Sequence, residues 1–295
     1  QGIVLAGGGA LLAGLDKHWN ENPDDFDRGR IYAQKLMEHG KFAKAEAVLA
    51  KIVAKGGGGE FWLLLGSAQA AQEKWEKAEG TLKGAQNLLK DNPMPSIELS
   101  KVAHGKKDNT AEREHLDRAL SIAPNFVDGW AQLFLHLKNA KSVDAACKEI
   151  EELANAPVNT KTAAPFIALQ GFFAADETAR DKAVGYAKKA VERSPDDPLA
   201  LLCLSALYGQ TGKIEEIVEL LAPHEAKMQR DVRLAHNYFE ALFALRDMDK
   251  LKALLNKLAT SPSREVKDFA IVRSRAIAQM LEQQKQAFSN VAPAK

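Results

Sequence analysis

Between residues 26 and 265 the apolar positions fall three and four apart in runs of about a dozen, each closed by a short polar or glycine-containing turn. That spacing predicts short amphipathic helices and gives no sign of strands. The clearest unit is 62–93, WLLLGSAQAAQEKWEKAEGTLKGAQNLLKDNP. Trp62 and Gly66 belong to a first helix; Trp75, Ala78, Leu82 and Ala85 belong to a second. Two helix backbones approach closely only where a residue such as Gly66 or Ala78 faces the neighbour.

Most of the chain can be laid in register with this unit. Repeats start at 26, 59, 93, 127, 164, 198 and 232, in steps of 33, 34, 34, 37, 34 and 34 residues. The single long step coincides with an insertion around Pro157, Asn159 and Thr160. Repeat one carries Gly40, Phe42 and Ala45 at its turn, then Leu49 and Ile52. Repeat three carries Leu99, Leu116, Ala119 and Pro124, and repeat four Trp130, Leu133 and Ala146. Repeat five has Gly171, Ala183, Ala190 and Pro195; repeat seven has Tyr238, Leu242, Leu251, Leu255 and Leu258. In repeat six, Pro223 removes a backbone donor and is expected to end or kink the second helix. Residues 266–288 read as a last amphipathic helix with a polar outer face, as a terminal repeat needs, and 289–295 as a disordered tail.

This pattern resembles the tetratricopeptide repeat family over residues 26–265. Trp62 and Trp130 match its first-helix tryptophan, Gly66 and Gly171 its glycine. Ala78, Ala146 and Ala183 match its second-helix alanine, and Pro124 and Pro195 its closing proline. Repeats six and seven depart from it, with Ile217 and Leu251 at the alanine place. The resemblance implies an all-α, right-handed superhelical solenoid of about seven antiparallel helix pairs plus the capping helix.

Residues 1–25 form a separate apolar, glycine-rich segment on which three readings stay open. Leu11 and Leu15 sit at second-helix positions and Pro23 where a repeat ends, so 10–20 would be a capping half-repeat. Alternatively 2–15 is the tail of a membrane anchor, although 14 apolar residues alone are too short to span ~30 Å of hydrocarbon. Thirdly, IVLAGGGALLAGLD resembles the glycine-rich phosphate loop of bacterial actin-like proteins of the MreB kind. No other element of that fold follows, so a fusion remnant is the most it implies. The chain starts at Gln1 rather than methionine, which leads one to expect that an N-terminal portion is missing or processed away.

Composition narrows function mainly by exclusion. Forty basic and 39 acidic residues give a net charge of +1, so no global field favours nucleic acid. Cys147 and Cys203 offer neither metal spacing nor a disulfide framework. The turn 209–213 lacks phosphate-loop spacing, and no zinc-protease helix or nucleophile elbow occurs. The seven histidines are scattered, and the glutamate pairs at 151–152 and 215–216 read as solvated helix faces. No catalytic residue, metal, cofactor or small-molecule substrate is expected, and the chain is not read as an enzyme.

The resemblance places inward-facing positions at the second, fifth, ninth and twelfth residues of each repeat. These are polar near the start (Asp27, Arg30, Gln34, Glu60) and small or apolar in the middle, including Leu135, Ala168, Phe172, Leu199 and Leu202. They turn polar again at Arg233, His236 and Glu240. The expected partner is a protein or peptide lying in a groove floored by Leu135, Ala168, Phe172, Leu199 and Leu202 and edged by Arg233 and His236, with Phe172 as anchor. The alternative is that the apolar set packs against neighbouring helices. Chaperone cofactors of this family grip a carboxylate with lysines and asparagines; Arg30, Gln34, Leu64, Met94 and Glu98 stand at those places here, so an acidic chaperone tail is not expected. A non-enzymatic adaptor is the leading reading. The alternatives are a membrane-tethered bacterial envelope or secretion factor, anchored through the N-terminal segment, and a filament-associated protein. Compartment (bacterial cytoplasm, membrane or periplasm) and oligomeric state stay open.

Overall fold

Several helices begin at an aspartate and end at a left-handed residue. Asp25, Asp108, Asp197, Asp231 and Asp247 cap helix N-termini, each carboxylate accepting from a backbone amide of the first turn. Between the two helices of a repeat, the fifteenth residue takes the left-handed conformation at Gly40 (φ 69°), Glu73 (59°), Lys107 (61°), Gly212 (72°) and Arg246 (57°). This conformation ends one helix and aims the chain into the next. Repeats four and five lack it.

The computed structural model describes residues 2–291 and shows an all-α fold of stacked antiparallel helix pairs. The chain divides between Ile150 and Glu151 into two compact units. The first unit opens with α1 (Gly2–Glu21). Its pairs are α2 (Phe26–Glu38) with α3 (Phe42–Ala54), α4 (Gly59–Ala70) with α5 (Trp75–Leu88), and α6 (Met94–Gly105) with α7 (Asn109–Ile122). It ends with α8 (Val127–Ala140) and the start of α9 (Val143–Ala154).

The second unit holds the end of α9, then α10 (Ala164–Ala174) with α11 (Arg180–Arg193), and α12 (Pro198–Gln210) with α13 (Ile214–Leu221). The short α14 (Glu225–Met228) follows, then α15 (Val232–Ala244) with α16 (Met248–Ala259), and finally α17 (Arg264–Val291). Pro223 does break its helix: α13 stops at Leu221 and a 3-10 turn, Ala222–His224, leads into α14. The last helix runs on into the stretch expected to be a disordered tail; 292–295 lie outside the described residues.

α1 folds back onto α2. Trp19 is buried with its ring against Gly29, where a Cβ would come within 2.5 Å of it. The Tyr32 hydroxyl donates to Asp16 over 2.5 Å, and burial together with that bond pushes the phenol up to about 12. The backbone is helical throughout 2–21, so the phosphate-loop resemblance has no loop behind it. No described helix is long and apolar enough to cross a membrane.

The core repeats with the sequence. In first helices the buried residues include the fourth, seventh, eighth and eleventh places: Trp130, Leu133, Phe134 and Leu137 in α8, and Leu201, Leu204, Ser205 and Tyr208 in α12. In α10 the corresponding residues are Phe166, Leu169, Gln170 and Phe173, one position ahead of the register that starts at 164. Phe173 stacks on Tyr186 of α11, with ring centroids 5.7 Å apart. Burying Phe166 and Phe173 outweighs keeping Gly171 at the close-approach place. The extra residue is absorbed in the 3-10 turn Glu177–Ala179, and Ala183, Ala187 and Ala190 are buried on schedule.

The insertion before α10 is firmly tied down. Arg193 donates to Ala154 O (2.7 Å) and Asn155 Oδ1 (2.8 Å), Asn159 to Leu153 O (2.9 Å), and Ser194 to Lys161 O (3.0 Å). Glu151 is not merely solvated, since it accepts from Tyr186 and Lys189, each at 3.0 Å.

Candidate functional site

The first helices leave one side open to solvent. On two first helices of the second unit, α10 and α12, this side carries no charge. α12, PLALLCLSALYGQ, contains no charged residue, although 27% of the chain is charged. Its outward stripe is Leu199 (38% exposed), Leu202 and Cys203 (half-buried), and exposed Ala206 and Gly209. Burial pushes the Cys203 thiol up, so it stays a neutral, weakly polar group in this stripe.

α10 carries no charge either. Its first half is buried, and only its C-terminal end reaches solvent, through Gly171 and the half-buried Phe172. The one-residue advance places Gly171 on the outward ring and moves Ala168 and Phe172 off it. Ala168 is 6% exposed, and Phe172 lies edge-on to Phe173 at 5.1 Å. The sequence reading of Phe172 as an outward anchor is corrected accordingly: its ring is partly committed to the core.

α15 borders α12 with charge. Arg233 and His236 are exposed, as expected from the sequence. Arg233 forks onto Asp231 at 2.8 and 3.1 Å, while Arg273 of α17 pairs with Glu240 at 3.0 Å. The amide of Asn237 donates to Ser205 Oγ (2.9 Å), fixing α15 against α12 beneath the surface.

Leu135, the remaining residue of the expected groove, belongs to the first unit, where it is 38% exposed. It lines a cavity of about 340 Å³ together with His104, Glu112, Gln132, His136 and Asn139. Here the structure brings together what the sequence had scattered. His104 Nδ1 lies 3.1 Å and His136 Nδ1 3.2 Å from Glu112 Oε2. Glu112 occupies the position that is Ala45, Ala78, Ala146 and Ala183 in other repeats, a departure visible in the sequence. Among the described residues no group of three His, Cys, Asp or Glu side chains is placed to hold a metal.

Ion pairs link successive repeats on the second-helix side of this unit. Glu46 is 7% exposed and accepts from Lys74 (2.7 Å), Lys77 (2.6 Å) and Gln72 (2.9 Å). Burial pushes its carboxyl up, but these bonds more than offset that and hold it at about 2. Bonds from Lys106 and Lys83 likewise hold Glu79 at about 2.

No family model matches the chain, and no curated protein does. Among solved structures it is similar to yeast Tom70, with TM-score 0.47 and 13% identity over 93% of this chain and 59% of that one. It is also similar to YrrB, described as a TPR protein with an unusual peptide-binding site (TM-score 0.38, 20% identity, 63% of this chain and 95% of that). A third likeness is to the TPR2AB domain of yeast Sti1, solved in a complex with pHSP90 (0.37, 16%, 87% and 95%). The chain thus spans 59% of the length of the Tom70 chain.

Proposed function

We propose that the protein is a non-enzymatic interaction scaffold that takes an apolar segment of a partner protein on the open face of α12 and the adjoining end of α10. The observation that carries this reading is the uncharged outward stripe of α12. A helix with one side in solvent ordinarily carries charge there, and an exposed apolar strip bordered by charge is the form of a binding surface. Leu199 and Leu202 supply the apolar contact, Ala206 and Gly209 allow close approach of a partner backbone, and α15 sets a polar edge with Arg233 and His236. Burying about 300 Å² of apolar surface there supplies about 7 kcal/mol before ordering costs, enough for a reversible complex.

The test is site-specific photo-crosslinking in cells, with the reactive residue at Leu202 and a control at Lys189 on α11. Capture of one protein segment at Leu202 alone is the expected result. Equal capture at both positions, or none at Leu202, overturns the reading.

A further inference from the structure

The first unit contains a buried charge that packing does not require. Glu112 is 8% exposed at a helix–helix position where four other repeats carry alanine. A methyl group fills such a place, whereas a carboxylate there loses much of its hydration. One oxygen, Oε2, is hydrogen-bonded to His104 Nδ1 at 3.1 Å and lies 3.2 Å from His136 Nδ1. The other oxygen, Oε1, accepts no hydrogen bond among the described residues, and it is not sealed off from solvent. Glu112 is part of the lining of the 340 Å³ cavity, together with Gln132, Asn139 and Leu135.

Of the two lysines of the lining, Lys101 has its Nζ 2.6 Å from Glu98. From this arrangement we propose that the pocket binds a cationic side chain, lysine or arginine, presented by a protein partner. Glu112 Oε1 is the counter-charge, the carbonyl oxygens of Gln132 and Asn139 accept the remaining N–H groups, and Leu135 covers the aliphatic stem. His104 and His136 act as positioning residues that fix the carboxylate by its other oxygen. The proposal rests on the reading of the protein as a protein-binding scaffold, but the site is separate from the apolar face of α12.

The chain is titrated with N-acetyl-glycyl-arginyl-glycine amide, its lysine counterpart and its uncharged citrulline counterpart, while the imidazole Cε1–H resonances of His104 and His136 are followed by NMR. Saturable shifts with the arginine or the lysine peptide, and none with citrulline, are expected; the arm that saturates first identifies the preferred cation. Glu112→Gln, nearly identical in shape, should weaken binding at least tenfold with an unchanged circular dichroism spectrum. Should that variant fail to fold, Glu112→Ala, which restores the residue of the other repeats, serves in its place. Absence of saturable shifts with both cationic peptides, equal shifts with citrulline, or undiminished binding after substitution overturns the proposal. Because the peptides carry no apolar segment, failure here leaves the α12 face untouched, and failure of the crosslinking experiment leaves this pocket untouched.

Discussion

Repeats two and five carry the same small-residue pair, Gly66 with Ala78 and Gly171 with Ala183, and they use it differently. A Cβ at Gly66 would come within 2.4 Å of Leu82, a fully buried side chain of the paired helix. A Cβ at Gly171 would meet nothing within 4 Å. The alanines agree between the repeats and the glycines do not, because α10 has advanced by one residue to bury Phe166 and Phe173. A glycine at the right spacing therefore does not fix a helix in its repeat; the largest apolar side chains do. The two regions also join their neighbours differently. The position that is Glu46 or Glu79 in the first repeats is Val184 in repeat five, buried and uncharged.

The sharpest way to break this comparison is to add a methyl group at each glycine. Gly66→Ala should destabilise the protein by about 1–3 kcal/mol through overpacking against Leu82, measured by urea unfolding. No loss would mean that the close approach in repeat two is not a constraint.

Acid should come next in effect, and it should act most strongly on the first repeats. Glu46 and Glu79 are held at about 2, against an ordinary value of 4.5. Both ionise more readily in the folded state, so their stabilisation is complete above about pH 4.5 and is lost as pH falls toward 2. Hydrogen exchange across that interval should show amides of α3–α5 losing protection before those of α11 and α12. Uniform loss would show that the ion pairs do not distinguish the two regions.

The smallest expected effect has the opposite sign. Gly171→Ala should stabilise by about 0.5–1 kcal/mol, because alanine is the better helix former and open space surrounds the site. Destabilisation would restore Gly171 to the role that Gly66 has.

Much of the fold was legible in the sequence because helix pairs announce themselves through apolar spacing, and the alanines of the second helices kept that spacing even where first helices wandered. The advance of α10 was not legible. Residues 163–170 are buried all round, so the apolar pattern there has no polar side to give its phase. For the candidate site, Leu199, Leu202, Arg233 and His236 were readable as outward positions of regular helices. Phe172 was misplaced by that one residue. The meeting of His104 and His136 on Glu112 depends on contacts between residues 8 and 24 apart, and spacing along the chain gives no warning of it. A charged residue at an alanine position was the available signal.

The central claim is that the uncharged face of α12 holds a partner. The most direct measurement is the affinity of the segment captured at Leu202 for the native protein and for the double variant Leu199→Glu, Leu202→Glu. Both side chains are partly exposed, so thermal unfolding should change little, while affinity should fall at least a hundredfold, about 2.7 kcal/mol. Equal affinity of the two proteins would contradict the account.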